Sequence, residues 1–346
     1  MQRPAIRYHI VHETVYRYAS PVSLSRQLLH LTPRNCSWQR TLAHHIAVEP
    51  TASWTDQRLD CYANPVSDLA FEFPHRSLEV RAESTLEVLP HLPAGTRATP
   101  ASGRRTAPPL PLCLPDSPPW EDVRAALAYG ARPVTLSAAE FQFESPHVRV
   151  KHEFAAYAAA AFTPRRPLLA ATQALMQRIF DEFEFDPEAT TIATPVLSVL
   201  ADKRGVCQDF AHLMLACLRS LGLAARYVSG YLLTTPPPGQ PRMIGADASH
   251  AWISVYCPEV EGGRWVDFDP TNNLLPDTQH ITLAWGRDFA DVSPLRGVIL
   301  GGDEHELAVA VTVTPLAADS TADAAPKDAP GAAGANARWP VGDAGT

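Results

Sequence analysis

The stretch Arg204-Gly205-Val206-Cys207-Gln208-Asp209-Phe210-Ala211-His212-Leu213 constrains this chain more than any other. It places a cysteine where a glycine-containing turn becomes an apolar helix. Phe210, Leu213, Met214, Cys217, Leu218 and Leu221 recur at helical spacing, which predicts a helix from Gln208 to about Leu221, stopped by Gly222. Cys207 then sits at or just before the first turn. Unpaired backbone N–H groups and the positive end of the helix dipole stabilise a thiolate there. A thiolate is the form of cysteine that attacks acyl carbons. An isolated cysteine is more often a small buried apolar group. The helix-start position, together with a histidine and an aspartate further along the chain, argues for chemistry instead.

Two later stretches complete a set. Ala248-Ser249-His250-Ala251-Trp252-Ile253-Ser254-Val255-Tyr256 alternates like a strand, with His250 near its start. Arg264-Trp265-Val266-Asp267-Phe268-Asp269-Pro270-Thr271 is a second short strand ending in a turn signal. Nucleophilic catalysis needs a base within hydrogen-bond reach of the thiol and a third group that orients the base. Adjacent antiparallel strands can set a histidine beside an aspartate. Alternation puts Asp267 and Asp269 on the same side, so periodicity alone leaves both as candidates for the third group.

These segments resemble the bacterial transglutaminase-like superfamily, whose members are often described as cysteine proteases. The resemblance is carried by Gly-Val-Cys-Gln-Asp-Phe-Ala-His, Arg226-Tyr-Val-Ser-Gly-Tyr231, Ser249-His-Ala-Trp252 and Asp269-Pro-Thr-Asn272, in the family's order over roughly residues 165–275. The opening third resembles the N-terminal β-domain that precedes this core in one bacterial branch, through Tyr8-His-Ile-Val-His-Glu-Thr-Val-Tyr-Arg-Tyr18, Pro21-Val-Ser-Leu-Ser-Arg26 and Leu31-Thr-Pro-Arg34. The resemblance implies an α+β fold: an antiparallel β-domain, then a transglutaminase/papain-like core with a nucleophile helix packed on an antiparallel sheet. It implies Cys207 as nucleophile, His250 as general base and acid, and Asp269, immediately before Pro-Thr, as the residue that orients the imidazole. It treats the β-domain as a non-catalytic partner of the core.

Taken in order, residues 1–90 read as the β-domain. Tyr8, Ile10 and His12 alternate with polar neighbours, as do Leu42 to Val48, Leu69 to Phe73 and Leu78 to Val88. Such alternation implies sheets with one wet face, in a small sandwich or barrel. His12, His44, His45 and His75 lack the spacing of a metal site. Residues 91–119 are rich in Pro, Ala, Gly, Arg and Thr and read as a linker or surface loop. Residues 120–315 form the core. Helices are expected at Trp120, from Glu153 to Phe162, after Pro167 and over Val196–Ala201, then the Cys207 helix and a buried strand from Ala224 to Leu233. Pro236-Pro-Pro-Gly239 closes a loop. Gly297–Leu300 and Leu307–Val313 look like strands, the latter fit to extend a sheet. Residues 316–346 have few large apolar groups and read as a disordered tail.

Composition narrows the function further. A net charge of −8 argues against nucleic-acid binding. No apolar run is long enough to cross a bilayer, and the first residues lack the apolar stretch of a signal peptide. The six cysteines show neither a C-x-x-C pair nor metal-ligand spacing, and are read as reduced thiols in a cytoplasm. No cofactor or calcium loop is predicted. The expected reaction is acyl transfer through a thioester on a protein, peptide or small amide substrate, crosslinking or hydrolytic. A strictly hydrolytic cysteine peptidase or amidase is the alternative, and a silent scaffold retaining the fold is the third reading. The Cys207 backbone N–H is the first candidate oxyanion donor. Asp209 is read as serving the helix dipole, and Arg226 and Tyr231 as structural. Trp252 and Trp265 are candidates to line an apolar acyl slot, with core packing the equal alternative for Trp265.

Overall fold

The computed structural model describes residues 4–91, 117–128, 137–234, 248–258 and 264–316. The chain opens with β1 (Ile6–Leu29), a strand of 24 residues, and continues through β2 (Gln39–Glu49), β3 (Trp54–Leu59), β4 (Pro65–Phe71) and β5 (His75–Val88). The helical part comes next: α1 (Trp120–Ala126), α2 (His152–Ala158), α3 (Leu168–Glu182), a two-residue β6 (Glu184–Phe185) and α4 (Val196–Asp202). Then come β7 (Arg204–Gly205), α5 (Cys207–Ser220), β8 (Ala225–Leu232), β9 (Ala248–Cys257), β10 (Arg264–Phe268) and β11 (His280–Gly286). A short α6 (Phe289–Val292), β12 (Leu295–Gly301) and β13 (His305–Leu316) end the described chain.

The strands of the β-domain hydrogen-bond into one seven-stranded antiparallel sheet, and the expected alternation gives it a buried face and a more open one. One face of the sheet packs against the helical core, as the apolar cluster shared by Tyr8, Ile10, Leu86, Val88, Val311 and Val313 with Leu213, Leu283 and Ile281 shows. A second, smaller cluster around Val22, Phe71, Leu78 and Val80 fills the far end of the sheet. The boundary of the core also moves. β13 pairs with β1 from Arg7 to Tyr18 and β12 pairs with it from Val22 to Leu29, so residues 295–316 belong to the first sheet rather than to a core running to 315. β1 is long enough to serve both: its register shifts between Arg17 and Val22, and beyond Val22 its partner on one side changes from β5 to β4.

The second sheet has the order β10-β9-β8-β11. α5 is buried along almost its whole length, packed on β8 and β9 and flanked by α2 and α4. Its apolar stripe is the one expected from the sequence, and it ends at Gly222, where φ is +76° and glycine alone is unstrained. None of the described helices is long and apolar enough to cross a membrane. The Pro-rich stretch between the domains, the Pro236–Gly239 loop and the tail after Leu316 lie outside the described residues, apart from the ends of the first.

Candidate active site

Cys207 is the first residue of α5, preceded by an extended Val206. The turn is fastened by Asp209, whose carboxylate accepts the Val206 N–H at 2.8 Å and the Thr190 hydroxyl at 2.6 Å. The acid thus satisfies an otherwise unpaired donor at the helix start, beyond any favourable interaction with the dipole. Gly205 is part of the same device, because a Cβ there would stand 2.7 Å from Asp209 Oδ2.

His250 lies near the start of β9, opposite Gly230 of β8. Its imidazole is buried, and Nε2 donates to Asp269 Oδ2 at 2.8 Å. The Cys207 side chain hydrogen-bonds to the same ring. With Nε2 engaged by the carboxylate, Nδ1 is the nitrogen left for the sulfur. Burial opposes a charged imidazole here, but Asp269 and then Cys207 outweigh it, and His250 is pushed up to about 10. The structure therefore brings Cys207, His250 and Asp269 together in one chain of hydrogen bonds.

Asp269 follows the last residue of β10 and is fully buried. Oδ2 accepts from His250 Nε2, from His280 Nε2 at 3.0 Å and from Asn272 Nδ2 at 2.8 Å. Oδ1 accepts the backbone N–H groups of Thr271 and Asn272 at 3.0 and 3.1 Å. Burial alone would raise its pKa; the two histidines overcome this and hold the carboxyl far below the usual carboxylate range. Asp267 belongs elsewhere. It accepts the Trp252 indole N–H at 3.1 Å and the Ser254 hydroxyl. Strand alternation could not separate the two acids because β10 ends at Phe268, and the rule stops one residue short of Asp269.

Two expectations are settled by packing. Trp252 does not line an acyl slot: its ring is fully buried, edge-on to His280 with centroids 5.1 Å apart, and has no surface to offer a substrate. Its place is set by Gly230, where a Cβ would stand 2.5 Å from the indole and 2.1 Å from the carbonyl of Ile281. Trp265 packs edge-on against Phe141 and Tyr256, beneath the Arg226 guanidinium. Arg226 stacks between Trp265 and Trp285, and the Tyr231 hydroxyl bonds His12 Nδ1 at 2.9 Å.

His280 and Asn272 complete the cluster, and the sequence alone assigned neither a role. Asn272 falls inside the Asp-Pro-Thr-Asn motif, so its position was visible though its contact was not. For His280 the available signal was the alternation of His280, Thr282 and Ala284, which marks a strand but not what it faces. The ligand atoms of His250, Asp269 and His280 lie within 4.8 Å of one another, a donor set with the chemistry of a cation site. The 2.8 and 3.0 Å separations are instead those of hydrogen bonds, with a proton between each pair of heavy atoms.

Comparison with known proteins agrees with this architecture. Residues 8–87 match the family model for the bacterial transglutaminase-like N-terminal region, and residues 155–270 that for the transglutaminase-like superfamily. An uncharacterized protein of Mycobacterium tuberculosis is 40% identical over 316 residues, covering 91% of this chain and 94% of its own length. A protein-glutamine gamma-glutamyltransferase of Pseudomonas aeruginosa is 32% identical over 139 residues, which is 36% of this chain and 20% of that protein. Among solved structures, one from Cytophaga hutchinsonii, provisionally classed as a cysteine protease, superposes with a TM-score of 0.66 at 19% identity. It covers 93% of this chain and 94% of its own, and so shares the fold. With both family models matched in order and a relative similar over nearly its whole length, the chain belongs to the transglutaminase-like superfamily, in the branch that carries the bacterial N-terminal region.

Proposed function

We propose that the protein is a cysteine acyltransferase that acts on carboxamide or peptide carbonyls through a thioester, with Cys207 as nucleophile, His250 as general acid and base, and Asp269 as the group that orients the imidazole. One observation carries this reading: the Cys207 side chain is hydrogen-bonded to an imidazole whose other nitrogen donates to a buried carboxylate.

The Cys207 sulfur, as thiolate, adds to the substrate carbonyl carbon. The oxygen becomes anionic and is met by the first backbone N–H groups of α5, which have no partner within the helix. The C–N bond then breaks as His250 gives its Nδ1 proton to the departing amine. The thioester is resolved when neutral His250 takes a proton from water or from an incoming amine, which attacks the same carbon and releases the thiolate. Asp269 stays ionised throughout and keeps the Nε2–H tautomer.

The name of the Pseudomonas relative, a protein-glutamine gamma-glutamyltransferase, supports a glutamine carboxamide as the acyl donor and transfer rather than hydrolysis. The classing of the Cytophaga protein supports water. Two measurements test the proposal. Iodoacetamide is applied across pH and the modified cysteines are mapped by mass spectrometry; Cys207 is expected to react faster than the exposed Cys61, and off the pH profile of a free thiol. If Cys207 follows Cys61 in rate and profile, the enzyme reading fails. A labelled primary amine is then offered with a glutamine-bearing peptide. Incorporation supports transfer to amines, whereas ammonia release without incorporation assigns the protein to the hydrolases.

A further inference from the structure

We propose that His280 is a positioning residue that fixes the Asp269 carboxylate against His250 and so aims the imidazole at Cys207. The inference rests on the acyl-transfer reading above and deepens it. His280 begins β11, opposite Leu232 of β8, and is 3% exposed. Its Nε2 stands 3.0 Å from Asp269 Oδ2, the oxygen that also receives His250 Nε2 at 2.8 Å. The Trp252 ring meets it edge-on and the His250 ring lies 5.9 Å away, so its orientation is boxed in on both sides.

The other nitrogen makes the case. His280 Nδ1 is buried and has no hydrogen-bond partner. Leaving a buried acceptor unsatisfied costs stability. A side chain retained for packing alone would not carry that cost, so the worth of His280 lies in its Nε2–H. Because only one nitrogen has an acceptor in reach, the neutral ring carries its proton there. Burial first, and then the neighbouring His250 cation, hold His280 below its ordinary pKa despite the pull of Asp269. Two charged imidazoles on one oxygen would repel each other. The carboxylate therefore has one partner that takes the charge, His250, and one neutral donor that sets its direction. The other ionisable groups around this pair are Cys207 on α5, with Asp209 and Tyr227 near the thiol, and Asp267 behind Trp252.

The test reads the pH profile of Cys207 alkylation by iodoacetamide in the full-length protein and in His280→Phe, His280→Gln and His280→Asn. The phenyl ring preserves bulk without the donor. Gln can extend an amide N–H to Asp269, and Asn is too short to do so. His280→Phe is expected to move the alkaline inflection, where His250 loses its proton, down by roughly one pH unit. Alkylation at neutral pH should slow by about tenfold. His280→Gln should recover most of both changes and His280→Asn should not, a contrast that holds even where the Phe variant does not fold. A merely structural histidine would lower the melting temperature and leave the inflection in place. That result, in either the Phe variant or the Gln–Asn pair, overturns the proposal. Failure of the underlying reading looks different: Cys207 would show an ordinary thiol profile in the unsubstituted protein.

Discussion

Two aspartates two residues apart stand in different environments. Asp269 is held by donors from three side chains and two backbone N–H groups, with a histidine on each side. Asp267 faces an indole, a hydroxyl and the charge of Arg226. Asp269→Asn presents an amide to His250 and disturbs the Nε2–H tautomer, so turnover should fall by about three orders of magnitude with the fold retained. Asp267→Asn should leave turnover within a few-fold and instead destabilise the protein by roughly 1–3 kcal/mol, since it weakens a buried network away from the sulfur. Paired rate and urea-denaturation measurements separate the two; equal losses of activity in both variants would contradict the assignment. That Cys207, His250 and Asp269 would meet was expected from the motifs that carry the family resemblance, since periodicity alone left Asp267 open beside Asp269. Trp252 was misplaced because a motif shows that an aromatic is required, not which way its ring faces. His280 was invisible because its contact exists only once β11 has folded beside β8.

At the scale of the element, α5 was the most legible part of the chain, found within one residue of its expected ends. Its apolar stripe has the helical period and its stop is a glycine, so no long-range information was needed. Its anchorage was less visible. Asp209 holds the turn through Val206 and Thr190, and Thr190 is seventeen residues upstream of Cys207. Asp209→Ala should cost about 1 kcal/mol of stability, the usual loss of a helix cap, and should slow Cys207 alkylation because the first turn is no longer held under His250. Asp209→Asn, which can still accept from Val206, should lose less of both. Strand β8 carries a stricter constraint. Gly230 lies opposite His250, and the Trp252 ring occupies the space where its side chain would be. The nearest atom to an added Cβ is the backbone carbonyl of Ile281, which cannot rotate away. Gly230→Ala should therefore destabilise by about 3 kcal/mol or prevent folding, well above a surface glycine change, as a thermal melt would show. A melt within a degree or two of the parent would mean that β11 can shift without penalty.

At the scale of the whole molecule, the first sheet does more than accompany the core. β11 is an edge strand, and an exposed edge invites unwanted pairing. The β-domain covers it with side-chain amides. Gln39 accepts the Thr282 N–H and donates to the Thr282 carbonyl, and Asn64 does the same for Trp285. Arg34 and Arg226, one from each sheet's domain, stack on opposite sides of the same Trp285 ring, 3.2 and 3.6 Å from its centre. None of this could be read from periodicity, because it joins residues hundreds of positions apart, as does the return of β12 and β13 to β1. His12 is a further buried polar member of this interface, bonded to Tyr231 of β8 and to Thr14. Burial lowers its pKa to about 4, and lowers His44 to about 4 and His212 to about 3. The unfolded chain binds protons at about 6.5 that the folded state refuses, so stability present above 6.5 is lost as pH falls toward 4. His250 has the opposite sign: its contribution is complete below 6.5 and disappears as pH rises through about 10. For His12 the shift from 6.5 to about 4 corresponds to about 3 kcal/mol. The protein should therefore lose stability steeply between pH 6.5 and 4. His12→Gln should be less stable at pH 7, where it forfeits the Tyr231 bond, yet show a shallower acid slope, with His44 and His212 supplying what remains. Urea denaturation at pH 7, 5 and 4 measures both quantities. If the variant loses stability in acid as steeply as its parent, His12 is not a proton-refusing joint between the two sheets, and the acid sensitivity belongs to His44 of β2 and His212 of α5.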